Sequence, residues 1–138
     1  MSKSPATQAS ARPRPLSPHL TIYRWPITGI MSIMHRITGG ALYFGTLLVA
    51  WWLIASATSE RQFDIANAVF GSWIGRLVLL GYTWALMHHM LGGIRHFVWD
   101  TGAGLEKHTA SKFGWATIIA SIVLTILIWV GALFVRGA

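Results

Sequence analysis

Three stretches of this chain, residues 37 to 59, 77 to 94 and 113 to 135, contain no Asp, Glu, Lys or Arg. They are 23, 18 and 23 residues long, and roughly 20 residues of helix cross a hydrocarbon core of about 30 Å. The sequence therefore predicts an all-α membrane protein with three transmembrane helices, over about residues 30 to 58, 72 to 99 and 112 to 135. Residues 1 to 27 form a basic, proline-rich N-terminal arm, and residues 28 to 138 the three-helix domain. Composition agrees: 54% of the chain is hydrophobic and 11% charged, against about 25% charged in an ordinary soluble domain.

The first apolar run begins too late to be the core of a secretory signal and is expected in the mature protein. The arm carries Ser and Arg without acids but lacks an apolar helical face, so cleavage as a transit peptide is not expected. Orientation follows from the cations. Lys3, Arg12, Arg14, Arg24, Arg36, Arg95, Lys107 and Lys112 share one side of a three-span chain, and Arg61, Arg76 and Arg136 lie on the other. The positive-inside tendency then places the N-terminus in the cytoplasm and the C-terminus outside. The formal charge of +7 thus has a membrane explanation, and cations split among juxtamembrane sites do not make a nucleic-acid face. The chain has no cysteine, so disulfides, iron-sulfur ligation and thiol catalysis are excluded within it. Four of the eight tryptophans, Trp25, Trp73, Trp99 and Trp115, fall near span ends, where amphipathic rings favour the headgroup level. Trp51, Trp52, Trp84 and Trp129 are read as lipid-facing or packing residues. Glu60, Arg61 and Asp64 in the first connection, and Glu106, Lys107, His108 and Lys112 in the second, are expected as solvated loop charges.

Ionisable groups inside the spans demand an explanation, because an imidazole in hydrocarbon is a functional-site candidate by default. On the second helix His89, Gly92, Gly93 and His96 stand at i, i+3, i+4 and i+7, which is one stripe. Its two glycines leave a flat slot between the histidines, as a haem macrocycle would require, and neutral imidazole is a standard axial ligand of haem iron. His88 and His89 differ by about 100° around the helix, so only one of them can face that slot. The stripe selects His89. His88 is expected to hydrogen-bond a neighbouring helix or another subunit.

A second polar face opens the first helix, where Ser32, His35, Arg36, Gly39 and Tyr43 stand at i, i+3, i+4, i+7 and i+11. Pro26 suits the helix start, since proline there forfeits no internal hydrogen bond. With the first helix entering and the second returning on one side, the two clusters lie in the same leaflet. His89 sits six residues before Arg95, or about 9 Å deeper along the axis.

These residues also carry a family resemblance. Arg14-Pro-Leu-Ser-Pro-His19-Leu-Thr-Ile-Tyr23, Ser32-Ile-Met-His35-Arg36-Ile-Thr38-Gly39 and His89-Met-Leu-Gly-Gly93-Ile-Arg95-His96 to Asp100 resemble the cytochrome b anchor subunits of succinate dehydrogenase, in order and over nearly the whole chain. The resemblance implies a subunit in a heteromeric helix bundle, joined to a second small membrane anchor, an iron-sulfur subunit and a flavoprotein. FAD and the iron-sulfur clusters would reside only in those partners. Carried over, His89 matches the axial ligand of a haem b shared with the second anchor, which supplies the other ligand; His35 is the in-chain alternative for that second position. Residues matching His35 and Arg36 lie near the haem propionates, and His96, with Arg95, lies on the same approach and could instead have a structural role or meet Asp100. Ser32 and Arg36 match residues of a ubiquinone pocket completed by a tyrosine of the other anchor and a tryptophan of the iron-sulfur subunit, with Ile33 as an apolar wall. Against this stands the plainer reading in which Ser32 bonds a helix carbonyl and Arg36 snorkels to lipid phosphate.

The resemblance implies passage of electrons from succinate to ubiquinone in the tricarboxylic acid cycle and respiratory chain, in the bacterial cytoplasmic membrane rather than the mitochondrial inner membrane. The chain itself, with no flavin-binding fingerprint, would hold no catalytic residue for succinate oxidation. Two alternatives stay open: the haem b anchor of a fumarate reductase or other quinone oxidoreductase, and a haem-free structural or proton-conducting anchor.

Overall fold

The computed structural model describes residues 22 to 137; the Arg14 to Thr21 part of the arm motif, with His19, lies outside the described residues. Among the described residues four long helices follow one another: α1 (Ile27–Thr58), α2 (Glu60–Gly71), α3 (Trp73–Asp100) and α4 (Lys107–Gly137). Three of them, α1, α3 and α4, are long and apolar enough to cross a membrane. At 1.5 Å per residue the 32 residues of α1 span about 48 Å, so its ends extend beyond a hydrocarbon core of about 30 Å.

Helix α1 starts without a side-chain cap; the Pro26 carbonyl accepts from the amides of Gly29 and Ile30 at 2.9 and 3.2 Å. Helix α2 corrects the expectation of a solvated loop at Glu60, Arg61 and Asp64. Ser59 breaks α1 with an extended backbone, and its hydroxyl accepts from the amide of Gln62, capping α2 while Glu60 occupies the first turn. Phe63, Ala66 and Phe70 form its less exposed stripe, and Asn67 accepts a hydrogen bond from the Trp52 indole at 3.1 Å. Ser72 ends α2 and starts α3 in a single residue: its amide bonds back to Ala68 and Val69, and its hydroxyl accepts from the Gly75 amide at 3.1 Å. The corner is so tight that a Cβ on Gly75 would run into the backbone of Val69 and Phe70.

Helix α3 packs antiparallel to both α1 and α4. Along α1 the paired levels are Gly45 with Tyr82, Gly39 with His89, and His35 with Gly92. Along α4 the Trp129 indole reaches the Thr83 hydroxyl at 3.4 Å. Gly114 of α4 lies against Ile27 and Met31 of α1. The turn between α3 and α4 uses positive-φ glycines at 102 and 104, and the Trp99 indole ties it back by donating to the Gly104 carbonyl at 3.2 Å.

The interior is built of small and polar residues, and the exterior is apolar. Ala55, Ala66, Ala85 and Ala110 are buried with Thr38, His88, Arg95, Thr117, Ser121 and Thr125, while Leu47, Ile54, Phe97 and Phe134 are exposed. Lipid gives no hydrophobic reason to hide leucine, and small residues let helix backbones approach closely. The buried hydroxyls of α4 cost little because each bonds to a carbonyl one turn back, Thr117 to Phe113, Ser121 to Ile118 and Thr125 to Ser121.

Candidate functional site

The polar stripes of α1 and α3 meet through a reciprocal exchange of glycine and histidine. A Cβ on Gly39 would lie 2.9 Å from Cε1 of His89, and a Cβ on Gly92 would lie 2.5 Å from Nδ1 of His35. Each helix thus supplies the gap that the other helix's imidazole fills. The two rings stack with centroids 3.9 Å apart and planes 6° from parallel.

The hydrogen bonds fix which nitrogen of His89 carries the proton. Nδ1 lies 3.1 Å from the His35 carbonyl and 3.3 Å from the Thr38 hydroxyl oxygen. A carbonyl only accepts, and the Thr38 hydroxyl already donates to the carbonyls of Met34 or His35 at 2.9 and 3.0 Å. Nδ1 therefore holds a hydrogen, and in the neutral ring Nε2 keeps its lone pair. Among the described residues Nε2 has no hydrogen-bond partner. An imidazole whose far nitrogen donates to a backbone carbonyl is the usual arrangement of a metal-ligating histidine, since that bond sets tautomer and ring direction.

The other expected site residues divide into those gathered here and those set apart. His96 joins the cluster, with its ring 5.2 Å from His35 and edge-on to Trp99 at 5.3 Å. Gly93 faces open space, whereas Gly92 is closed by His35, so the flat slot expected beside both glycines is open only at Gly93. Arg36 and Ile33 are exposed and Ser32 is half-buried. Eleven serine and threonine hydroxyls of the long helices and their ends bond back to a helix carbonyl. Ser32 makes no such bond among the described residues, so the reading in which it satisfies a helix carbonyl finds no support. Arg36 likewise has no ion pair among the described residues, and neither Arg95 nor His96 pairs with Asp100.

His88 lies on the buried side of α3. It is 1% exposed, packed 5.3 Å from the Trp84 ring, and its Nδ1 has no hydrogen-bond partner among the described residues. Through that nitrogen it bonds no neighbouring helix among the described residues. Arg95, seven residues along the same stripe, is 5% exposed and stacks its guanidinium 4.9 Å above the Trp99 ring. Two further contributors escape a polarity-based reading: Thr38, a common helix residue whose hydroxyl anchors His89, and Gly39, which makes room for it. The sequence places Gly39 on the polar face of the first helix and both residues in its family-like motif, but assigns neither of them this role.

No group of three or more His, Asp or Glu among the described residues is placed to hold a metal ion. A lone imidazole donor suits an iron that brings its other ligands in a macrocycle, so the residues present fit a haem held through His89. They do not fit His35 as the opposite ligand. Two axial imidazoles point end-on at one iron from opposite faces, and the His35 and His89 rings lie face to face.

The chain is 50% identical over 114 residues to a succinate dehydrogenase cytochrome b556 subunit of Paracoccus denitrificans, covering 83% of this chain and 88% of that one. It is 40% identical to the corresponding subunit of Rickettsia felis, over 85% and 91% of the two chains. A mitochondrial succinate dehydrogenase cytochrome b560 subunit of Sus scrofa is 37% identical, over 86% and 69%. The family model described as succinate dehydrogenase/fumarate reductase transmembrane subunit matches residues 10–128, and with α1 and α3 wholly inside that match, the chain belongs to this family.

Proposed function

We propose that the chain is the cytochrome b membrane anchor of succinate dehydrogenase, holding haem b jointly with a second anchor subunit and forming part of the site where ubiquinone is reduced. The observation that carries this reading is His89, whose Nδ1 is tied to the His35 carbonyl at 3.1 Å so that Nε2 is left as a donor to iron. A bound haem b supplies a one-electron redox centre. What the protein contributes is the donor atom, its orientation through His35 and Thr38, and open space at Gly93. His35, Arg36 and His96 provide the nitrogen donors that haem propionates would meet, and Arg36 suits a charge-assisted bond to a carboxylate.

The quinone role rests on Ser32 and Arg36, one turn apart on α1. A quinone carbonyl gaining electrons accumulates negative charge on oxygen. An unpaired guanidinium and a hydroxyl with no bond to its own helix both stabilise that charge, and the hydroxyl can pass a proton. Exposed Ile33 offers the apolar surface beside them. The second haem ligand, the iron-sulfur subunit and the flavoprotein belong to the partners, and the assembly sits in a bacterial inner membrane. The names of the bacterial relatives favour oxidation of succinate over the opposite direction.

A reduced-minus-oxidised spectrum of the purified complex tests the haem assignment: His89→Ala is expected to abolish b-type absorption, and its survival would end the assignment. For the quinone site, Ser32→Ala and Arg36→Ala are each expected to lower succinate:ubiquinone activity at least tenfold while succinate:dye activity persists. Equal loss of both activities would assign these residues to assembly instead.

A further inference from the structure

At the end of the bundle away from the histidines, all four helices border one cleft of about 770 Å³, a size in the usual ligand-site range of about 300 to 1,000 Å³. It exists because α1 and α4 touch near Gly114 and Met31 but leave a gap farther along, floored by Leu79 and Tyr82 of α3 and closed at one end by α2. The walls include Leu48, Ile128 and Leu133, and the surface is mostly apolar. Two polar groups stand at the α2 end. Arg76, four residues past the Ser72 cap of α3, lines the cleft and has no ion pair or side-chain hydrogen bond among the described residues. Asn67 also lines it, and with its Oδ1 accepting from Trp52 its amide hydrogens remain to donate. An apolar cleft with a lone cation and an amide donor at its α2 end matches a molecule with a hydrocarbon tail and an anionic head.

We propose that this cleft binds one anionic phospholipid, its acyl chain between α1 and α4 and its phosphate on Arg76 and Asn67. The ligand is a structural lipid of the assembled protein, and the site is separate from the histidine cluster. Charge complementarity decides the occupant: a guanidinium left unpaired beside hydrocarbon gains most from a phosphate, which it can bind through two parallel N–H donors.

The test uses the assembled complex, purified from membranes in mild detergent and washed, with retained lipid and quinone extracted and quantified by mass spectrometry. Arg76→Gln removes the charge, and Ala132→Trp fills the cleft while leaving the charge in place. Both are expected to lose one equivalent of anionic phospholipid per complex, with succinate:ubiquinone activity unchanged, while Arg61→Gln, on α2 outside the cleft, retains it. The proposal is overturned if Arg76→Gln and Ala132→Trp keep the wild-type phospholipid content, if Arg61→Gln loses as much, if the lipid lost is zwitterionic, or if quinone is the molecule that disappears.

Discussion

Replacing Gly39 by alanine tests the reasoning that links the helix seam to the proposed metal-binding nitrogen of His89. The new Cβ would stand 2.9 Å from Cε1 and 3.4 Å from Nδ1 of His89. Ordinary carbon contacts lie at about 3.5 to 4.0 Å, so the ring must retreat by roughly 0.6 to 1.1 Å. It cannot do so freely, because Nδ1 is bonded to the His35 carbonyl at 3.1 Å, and stretching that bond to about 3.7 Å ends it. Losing the bond costs about 0.5 to 1.5 kcal/mol and overpacking a further 1 to 3 kcal/mol. Loss of an outer-shell partner of a ligand typically lowers metal affinity about 10- to 100-fold. Gly40→Ala is the matched control, since a Cβ there meets nothing within 4 Å. The assay is haem per complex from the reduced-minus-oxidised spectrum, normalised to succinate:dye activity. Gly39→Ala should show depleted haem or a shifted band, and Gly40→Ala should match the wild type. A full, unshifted spectrum in Gly39→Ala, or an equal loss in both variants, would refute the link.

Gly92→Ala should displace His35, whose Nδ1 lies 2.5 Å from the added Cβ, and lower complex yield; Gly93→Ala adds a Cβ into open space and should instead lower haem content with assembly intact, an effect whose absence would remove Gly93 from the haem wall. Gly75→Ala should nearly abolish membrane-inserted protein because its Cβ would meet backbone at the α2–α3 corner, whereas Gly71→Ala, with nothing within 4 Å, should be tolerated; immunoblots of membranes compare them. Trp99→Phe removes the bond to Gly104 but keeps a ring under Arg95, so it should destabilise by about 0.5 to 1.5 kcal/mol and lower the thermal midpoint of the complex less than Trp99→Leu, which also loses the cation–π contact.

The spans were legible because absence of charge over a membrane-length run has one structural consequence, and the histidines were legible because polar groups in such runs are rare. The helix after Ser59 was not read, although its parts were visible: a serine cap, Glu60 in the first turn, and Phe63, Ala66 and Phe70 along one face. Charges at residues 60, 61 and 64 were weighed as evidence for a loop, when an amphipathic helix at an interface also carries them. The glycines show a subtler limit. Spacing established that Gly92 and Gly93 share the stripe with His89 and His96, but about 100° separates adjacent residues. Which of the two faces a partner helix depends on the register between helices, and no single helix encodes that.

The same rotation decides between the adjacent histidines. One side of α3 carries Ala85, His88, Gly92 and Arg95, all buried, and His88 is enclosed by its own chain with Trp84 beside it. No face of that imidazole is left for a macrocycle. His89, one position on, lies on the boundary between the α1 seam and the surrounding space. There its Nδ1 is held by the backbone of α1, and its ring is only partly covered. Burial alone would have ranked His88 first as the functional histidine, since a fully buried imidazole in a membrane span is the more costly of the two. Ligation, however, requires an anchored far nitrogen and an accessible near one, and only His89 combines them. His88 and Arg95 instead form the polar side of the interior, where each is packed against a tryptophan and neither is positioned to leave it.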